Sequence, residues 1–310
     1  MNRKILVASL ILGTMITSAP MISYAAKANK LPATPISAQT AQDESKWFYL
    51  SADDKYGKFF EPDSVKVVKK VKTSNGKEIP TEIEAWTKTT YTYEGAAMTI
   101  DNYDLKSILP DPKMLAYSIA LLRINPQNRT IQYAREDFYD STGKLTWSTT
   151  EEKIKEINVQ SFDEIFYAAI VDEVFRHGEM DRKNAKDRWI DLWTATDDEG
   201  NTTTVTADTT TMRLKGSNLI LWEWQETKNP AGKVIEIRFM KKAVNLSQGT
   251  EKISTGDIWT PQSAGWNNLE DENGGAYRMI HGDAPEYKGL VRLRAFAKGY
   301  STWVNRYSID

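Results

Sequence analysis

Two tryptophan-led segments of similar sequence constrain the fold of this chain more than any other feature. The first, residues 46–54, begins with Lys-Trp and ends with Asp-Asp; the second, residues 188–198, begins with Arg-Trp and also ends with Asp-Asp. Both place mostly apolar residues between the tryptophan and the polar end, a pattern typical of a β-strand followed by a turn. We therefore predict two related units that begin with the strands of Trp47 and Trp189.

The length and the charge of the chain agree with two soluble domains. The chain has 310 residues, of which 40% are hydrophobic, enough for two cores of ordinary size. Its formal net charge is -2. A protein that binds nucleic acid through electrostatic attraction needs a clear basic excess, so this class of partner is excluded.

The N-terminus has the pattern of a secretory signal peptide over residues 1–26. Arg3 and Lys4 give a positive start, an apolar run follows over residues 5–16, and a small-x-small cleavage site ends at Ala25. The apolar run is shorter than the ~20 residues that a membrane span needs. We expect export to the periplasm, the cell surface or the medium, with cleavage near Ala25 and no transmembrane anchor in the mature chain.

The rest of the chain divides into a leader, two domains and a linker. Residues 27–45 are polar and contain two prolines, so a flexible leader is predicted. Residues 46–177 form the predicted first domain, residues 178–186 the linker, and residues 187–310 the second, related β-rich domain. There are no cysteines, so stability must come from packed cores without disulfides.

The predicted fold class is α+β, mostly β, with two related domains that are each an antiparallel sheet. In the first domain, apolar and polar residues alternate over residues 81–93, and residues 129–149 read as a hairpin. Ser161 and Glu164 have capping-box spacing, which predicts a C-terminal helix packed on the first sheet. Alternation near the C-terminus predicts two closing strands, over residues 290–296 and 301–309, in place of a second helix.

Two alignments support the repeat. The strand of Trp86 aligns with the strand of Trp222, and residues 258–263 resemble residues 157–161 because both end in Gln-Ser.

The region 114–124 suits either a helix or a buried strand. We favour a strand there because of the family resemblance described next.

Residues 46–176 resemble the surface-adhesin protein E family of small exported bacterial domains. The resemblance is carried by the Trp47 strand, the Tyr-rich strand and Asp-Ser element of residues 56–64, the Trp86 strand, the Tyr-Asp-x-x-Gly hairpin of residues 138–144, and the helix after Gln160. Residues 188–310 resemble a degenerate second copy.

The resemblance implies an antiparallel sheet with a helix packed on it, and for some members the binding of host extracellular proteins. The chain departs from the family pattern in two ways. It lacks the cysteine pair that members often carry, and Gln160 stands where the family has proline before the helix serine.

The candidate binding residues are the tryptophans of the second domain. Trp222 and Trp224 share one face of a predicted strand, and Trp266 follows in a loop, so their rings could stack on a sugar or a peptide. The same side chains could simply fill the core. No catalytic residue, metal ligand or cofactor motif is assigned.

Two functions follow as hypotheses. The first is an exported, non-enzymatic binding or cell-envelope interaction protein, adhesin-like, whose partner is a protein or glycan of the envelope or host surface. The alternative is a periplasmic carbohydrate-active hydrolase with paired carboxylates such as Glu223 and Asp257. That alternative requires the two acids to face each other across a cleft.

Overall fold

The computed structural model describes residues 44–150, 153–269 and 274–309. The predicted signal peptide and nearly all of the predicted leader lie outside these ranges. The described chain forms two antiparallel sheets, each with helices on one face, which confirms the predicted fold class. We call the face that packs on the helices the inner face and the opposite one the outer face.

The first sheet has eight strands in the order β1-β2-β4-β5-β6-β7, with β3 paired to β4 and β8 paired to β6. These strands are β1 (Phe48–Ala52), β2 (Tyr56–Phe60), β3 (Lys66–Lys72), β4 (Glu78–Tyr91), β5 (Tyr117–Asn125), β6 (Thr130–Tyr139), β7 (Leu145–Thr149) and β8 (Lys155–Glu156). In β4 the predicted alternation holds, since Ile83 and Ala85 are buried in the core while Glu82 and Glu84 face the other way. Most of the region 114–124, which suited either a helix or a strand, belongs to β5, so the favoured interpretation as a strand is confirmed.

Two helices cover the inner face of the first sheet. Helix α1 (Tyr93–Asn102) was not predicted; its first turn is capped by Thr92, whose side chain accepts the Gly95 N–H. Helix α2 (Glu164–Phe175) is the predicted C-terminal helix, and its Phe166 and Ile170 lie in the core.

Helix α2 begins without the predicted capping box. The Oγ of Ser161 accepts the Asn158 N–H at 2.9 Å, so it stabilises the turn before the helix. The N-cap position is Asp163. The capping box was wrong because the Asn158 N–H takes the serine hydroxyl oxygen, while the Glu164 N–H donates to the Ser161 carbonyl at 3.2 Å.

The second sheet has seven strands in the order β14-β13-β12-β11-β10-β9, with β15 paired to β13. These strands are β9 (Trp189–Thr196), β10 (Thr202–Lys215), β11 (Asn218–Lys228), β12 (Val234–Asn245), β13 (Thr250–Trp259), β14 (Asn267–Asn268) and β15 (Arg278–Met279). Its core joins Val205, Leu221 and Val244 to residues of the C-terminal helices.

The C-terminus forms helices α4 (Pro285–Gly299) and α5 (Ser301–Val304), so the two predicted closing strands were wrong. Leu290, Leu293 and Phe296 are three residues apart, and a helix places all of them on the buried face. A strand would turn Leu293 away from the other two. Both units therefore end in a helix that packs on the inner face.

Equivalent backbone contacts define the register of the repeat. The N–H of Trp86 donates to Ser64 Oγ at 2.9 Å, and the N–H of Trp222 donates to Thr211 Oγ1 at 3.0 Å. This pair of contacts agrees with the predicted alignment of Trp86 with Trp222, and it makes β11 the counterpart of β4.

A second pair of contacts corrects the other alignment. The N–H of Ile157 donates to the carbonyl of Arg129, and that of Ile280 to the carbonyl of Gly249, both at 2.8 Å. Ile280 is thus the counterpart of Ile157, and residues 258–263 are not. The shared Gln-Ser misled the alignment because Ile258 belongs to β13, which corresponds to β6.

The two sheets meet at a buried ion network in the predicted linker, where residues 178–186 contain the helix α3 (Glu179–Asn184). Glu179 is only 1% exposed and lies among the guanidinium groups of Arg129, Arg213 and Arg306. These cations come from the first sheet, the second sheet and the C-terminus. The carboxylate therefore joins three distant parts of the chain.

Candidate functional site

The outer face of the second sheet carries two of the three candidate tryptophans in an accessible position. The strand register aligns Trp224 with Phe239 and Phe239 with Asp257, so these three side chains point to the same face. The rings of Trp224 and Trp266 meet edge to face, with centroids 5.9 Å apart, and both are partly exposed. We call Trp224, Trp266 and Asp257 the aromatic-acidic patch.

Trp222 does not belong to this patch, although it shares the outer face. It is only 6% exposed, its ring stacks on Phe239 at 4.5 Å, and its Nε1 donates to Glu156 of the first unit at 3.2 Å. Lys241 also binds Glu156, at 2.7 Å. Trp222 is thus a junction residue, and it offers no open ring face to a ligand.

The carboxylate pair of the hydrolase hypothesis does not form. Glu223 lies opposite Met240 and points to the inner face, whereas Asp257 lies opposite Phe239 on the outer face. Glu223 is buried and ion-paired with Lys242 at 2.8 Å. The two acids cannot share a cleft, because neighbouring residues of a strand point to opposite sides of the sheet.

Asp257 itself has an unusual setting. It is half-buried, and among the described residues no hydrogen bond or ion pair to its carboxylate is found. Burial raises the pKa of Asp257 above its ordinary value. The patch therefore combines two indole rings with a partly desolvated carboxylate that has no partner among the residues that the structure describes.

A second candidate site, missed in the sequence, lies in the first unit. A cavity of about 690 Å³ opens between the inner face of the first sheet, α1 and the segment before α2. Its lining is rich in tyrosine and in charged side chains, including Tyr56, Lys58, Tyr91, Tyr103, Tyr133, Glu136, Lys155 and Asp163. This is the size of a pocket for a small ligand.

The central group of this cavity is Glu136. Its carboxylate accepts hydrogen bonds from the hydroxyls of Tyr103 and Ser118, both at 2.8 Å. Burial raises the pKa of Glu136 to about 7, although both hydroxyls favour the ionised form. Glu136 can therefore hold or release a proton near neutral pH.

Three further polar side chains line the same cavity: Tyr133, Asp163 and Lys58. The hydroxyl of Tyr133 donates to Asp163 Oδ1 at 2.5 Å. The Nζ of Lys58 donates to the carbonyl of Phe162 at 2.7 Å, and burial lowers the pKa of Lys58 to about 8. Lys58, like Glu136, therefore titrates closer to neutrality than usual, which is typical of groups in binding and catalytic sites.

One sequence signal could have pointed to this cavity. Arg135, Glu136 and Asp137 are consecutive charged residues inside the predicted strand 129–139. Because neighbours in a strand point to opposite faces, at least one of the three had to face the core of a central strand. The partners of Glu136 were not predictable, since Tyr103 comes from the segment after the unpredicted helix α1.

Comparison with known proteins does not assign the chain to a family. The chain matches no protein-family model, and no curated protein matches it significantly. The resemblance to the protein E family therefore stays a prediction.

Two further properties concern membranes and metals. Over residues 44–150, 153–269 and 274–309, no helix combines the length and the apolar character of a membrane span. In the same part of the chain, no three His, Cys, Asp or Glu side chains are grouped closely enough to hold a metal ion.

Proposed function

We propose that this chain is an exported, non-enzymatic binding protein of the bacterial envelope, adhesin-like in its mode of action, that contacts its partner through the aromatic-acidic patch. The observation that carries the proposal is the partly exposed Trp224–Trp266 pair on the outer face of the second sheet. Large aromatic side chains at such a surface give contact area at little cost in conformational entropy. Export is supported by the signal-peptide pattern of residues 1–26.

The first unit gives an internal comparison for this surface. There the chain covers part of its own outer face, because Trp47 packs on Tyr117, Ile119 and Tyr139. In the second unit α4 and α5 lie on the inner face, and the rings of the patch stay partly open. The region of this sheet face that contains Lys88 and Asp137 is thus buried in the first unit, whereas the patch in the second unit stays partly exposed, as a contact surface requires.

The test is retention of the mature protein on immobilised extracellular-matrix proteins and on envelope fractions. Trp266→Ala removes one ring of the patch without touching either core, and we expect it to reduce retention. Tyr93→Ala, at an aromatic residue that is 61% exposed in the first unit, is the matched control and leaves retention unchanged. Equal retention of the wild type and Trp266→Ala would contradict the proposal.

A carbohydrate-active hydrolase is the second candidate function, with its site in the cavity of the first unit and not at Glu223 and Asp257. Glu136 and Asp163 line one cavity, and a carboxyl group with its pKa near 7 suits a general acid. Binding is favoured over catalysis because Tyr103 and Ser118 already engage both oxygens of Glu136.

The hydrolase candidate is tested with peptidoglycan and a panel of chromogenic glycosides between pH 5 and pH 8. Hydrolysis that disappears in Glu136→Gln supports it. The absence of turnover on every substrate discards it and leaves the binding function in place.

A further inference from the structure

The two units differ at one pair of equivalent positions in a way that indicates what the patch binds. Both sheets have a β-bulge at the same place: Leu121 and Leu122 face Arg135 and Tyr133, as Lys241 and Lys242 face Thr255 and Ile253. With the bulges superimposed, Thr255 is the counterpart of Arg135, and Asp257 is the counterpart of Asp137. The alignment of Trp86 with Trp222 likewise makes Trp224 the counterpart of Lys88.

In the first unit this place is filled by cations of the chain itself. The Nε of Arg135 donates to Asp137 at 2.8 Å, and both side chains are almost fully buried. Lys88 lies on the same face two strands away, with its Nζ 5.0 Å from the ring of Tyr117 and 2.7 Å from Glu44. The outer face of the first unit is therefore a carboxylate and aromatic site that already holds its cations.

In the second unit the carboxylate remains, but the exposed Thr255 stands where the first unit has Arg135 and cannot form an ion pair with Asp257. Lys241, which lies opposite Thr255 on the same face, is already paired with Glu156 at 2.7 Å. The row of residues that crosses the sheet here consists of Asp191, Thr206, Trp224, Phe239, Asp257 and Asn268. This row contains two carboxylates and no cationic side chain.

We propose that the aromatic-acidic patch binds an arginine or lysine side chain of a protein partner, with Asp257 as the counter-ion and Trp224 and Trp266 as the aromatic walls. This inference rests on the proposed binding function and adds the chemistry of the partner. An indole face attracts a guanidinium or ammonium group, and a partly desolvated carboxylate gains most from a charge-assisted hydrogen bond. A neutral glycan would leave Asp257 without a counter-charge.

The test measures binding of a hexa-arginine peptide to the purified chain by calorimetry, with a hexa-glutamate peptide and chitohexaose as comparison probes. We expect hexa-arginine to bind and Asp257→Asn to weaken the binding about tenfold or more, since the negative charge that strengthens the hydrogen bond to the guanidinium is lost. Asp283→Asn is the matched control: it removes the same charge from an exposed turn of the second unit and leaves the affinity unchanged.

Thr255→Arg is a second, independent variant. It recreates the internal pair of the first unit at an exposed position, so the fold is retained while the new guanidinium occupies Asp257. We expect this variant to lose hexa-arginine binding as Asp257→Asn does. Hexa-arginine binding that survives in Thr255→Arg would overturn the proposal.

Other results would also overturn it. Equal losses in Asp257→Asn and Asp283→Asn would mean nonspecific attraction between charges. Binding of chitohexaose that depends on Trp266 and not on Asp257 would make the ligand a glycan, which removes the cation proposal and leaves the binding function intact. Self-association that both Thr255→Arg and Asp257→Asn abolish would instead support the cation chemistry and identify the partner as a second copy of the chain.

Discussion

Glu179 is the residue whose replacement should most affect the association of the two sheets. Its Oε1 accepts hydrogen bonds from Arg306 Nε at 2.6 Å and from the hydroxyl of Tyr307 at 2.7 Å. Among the described residues, Arg213 and Arg306 have no other carboxylate within ion-pair distance. Glu179→Gln keeps the shape of the side chain and leaves buried guanidinium groups without a counter-charge.

The size of the effect follows from the pKa of Glu179. Burial by itself would raise this pKa, but the charges of Arg306, Arg213 and Arg129 outweigh it and lower the pKa from 4.5 to about 2. At about 1.4 kcal/mol per pKa unit, the network stabilises the folded state by ~3 kcal/mol. Loss of one partner of a buried ion pair typically costs about 3–5 kcal/mol, which agrees.

The assay is urea unfolding of the wild type, Glu179→Gln and Glu173→Gln, the last being the same substitution at an exposed position of α2. The folded-state pKa is depressed, so the stabilisation is complete above pH 4.5 and is lost as the pH falls towards 2. We expect a deficit of ~3 kcal/mol for Glu179→Gln at pH 7 that shrinks below pH 4. A deficit no larger than that of Glu173→Gln, or one independent of pH, would refute the reasoning.

Two further predictions concern the cavity and its walls. The folded-state pKa of Glu136 is raised from 4.5 to about 7, so ionisation of Glu136 opposes folding as the pH rises through this range. Glu136→Gln should therefore be up to ~3 kcal/mol more stable than the wild type above pH 7 and similar to it below pH 4.5. Urea unfolding at pH 4 and pH 8 measures this difference. A β-carbon on Gly95 would lie 2.2 Å from the carbonyl oxygen of Lys55. Gly95→Ala should therefore lower the free energy of unfolding by about 1–3 kcal/mol, measured by thermal unfolding. Gly299→Ala, with open space around the residue, should leave it unchanged. Equal effects of the two substitutions would mean that α1 does not pack closely on the β1–β2 turn.

The helices show which parts of the structure can be predicted from sequence patterns. The apolar spacing around Phe166 and Ile170 correctly predicted α2, because a helical period over three turns is a strong local signal. The segment that forms α4 also alternates, since Arg292 and Arg294 separate its apolar residues, and alternation over so few residues suits a strand equally well. Packing against the inner face of the second sheet decides between the two.

The sequence alone determined the two Trp-led units, the antiparallel strands with alternating faces and the cores without disulfides. The strands depend on patterns within ten or fifteen residues, and the lack of disulfides follows from the absence of cysteine. Only the tertiary structure decided which side chains from distant parts of the chain come into contact. Trp222 and Trp224 lie on the same strand face, yet contact with Glu156 buries one and leaves the other in the patch. Burial raises the pKa of Glu136, and arginines far away in the chain lower the pKa of Glu179; both effects depend on how the sheets pack and not on local sequence.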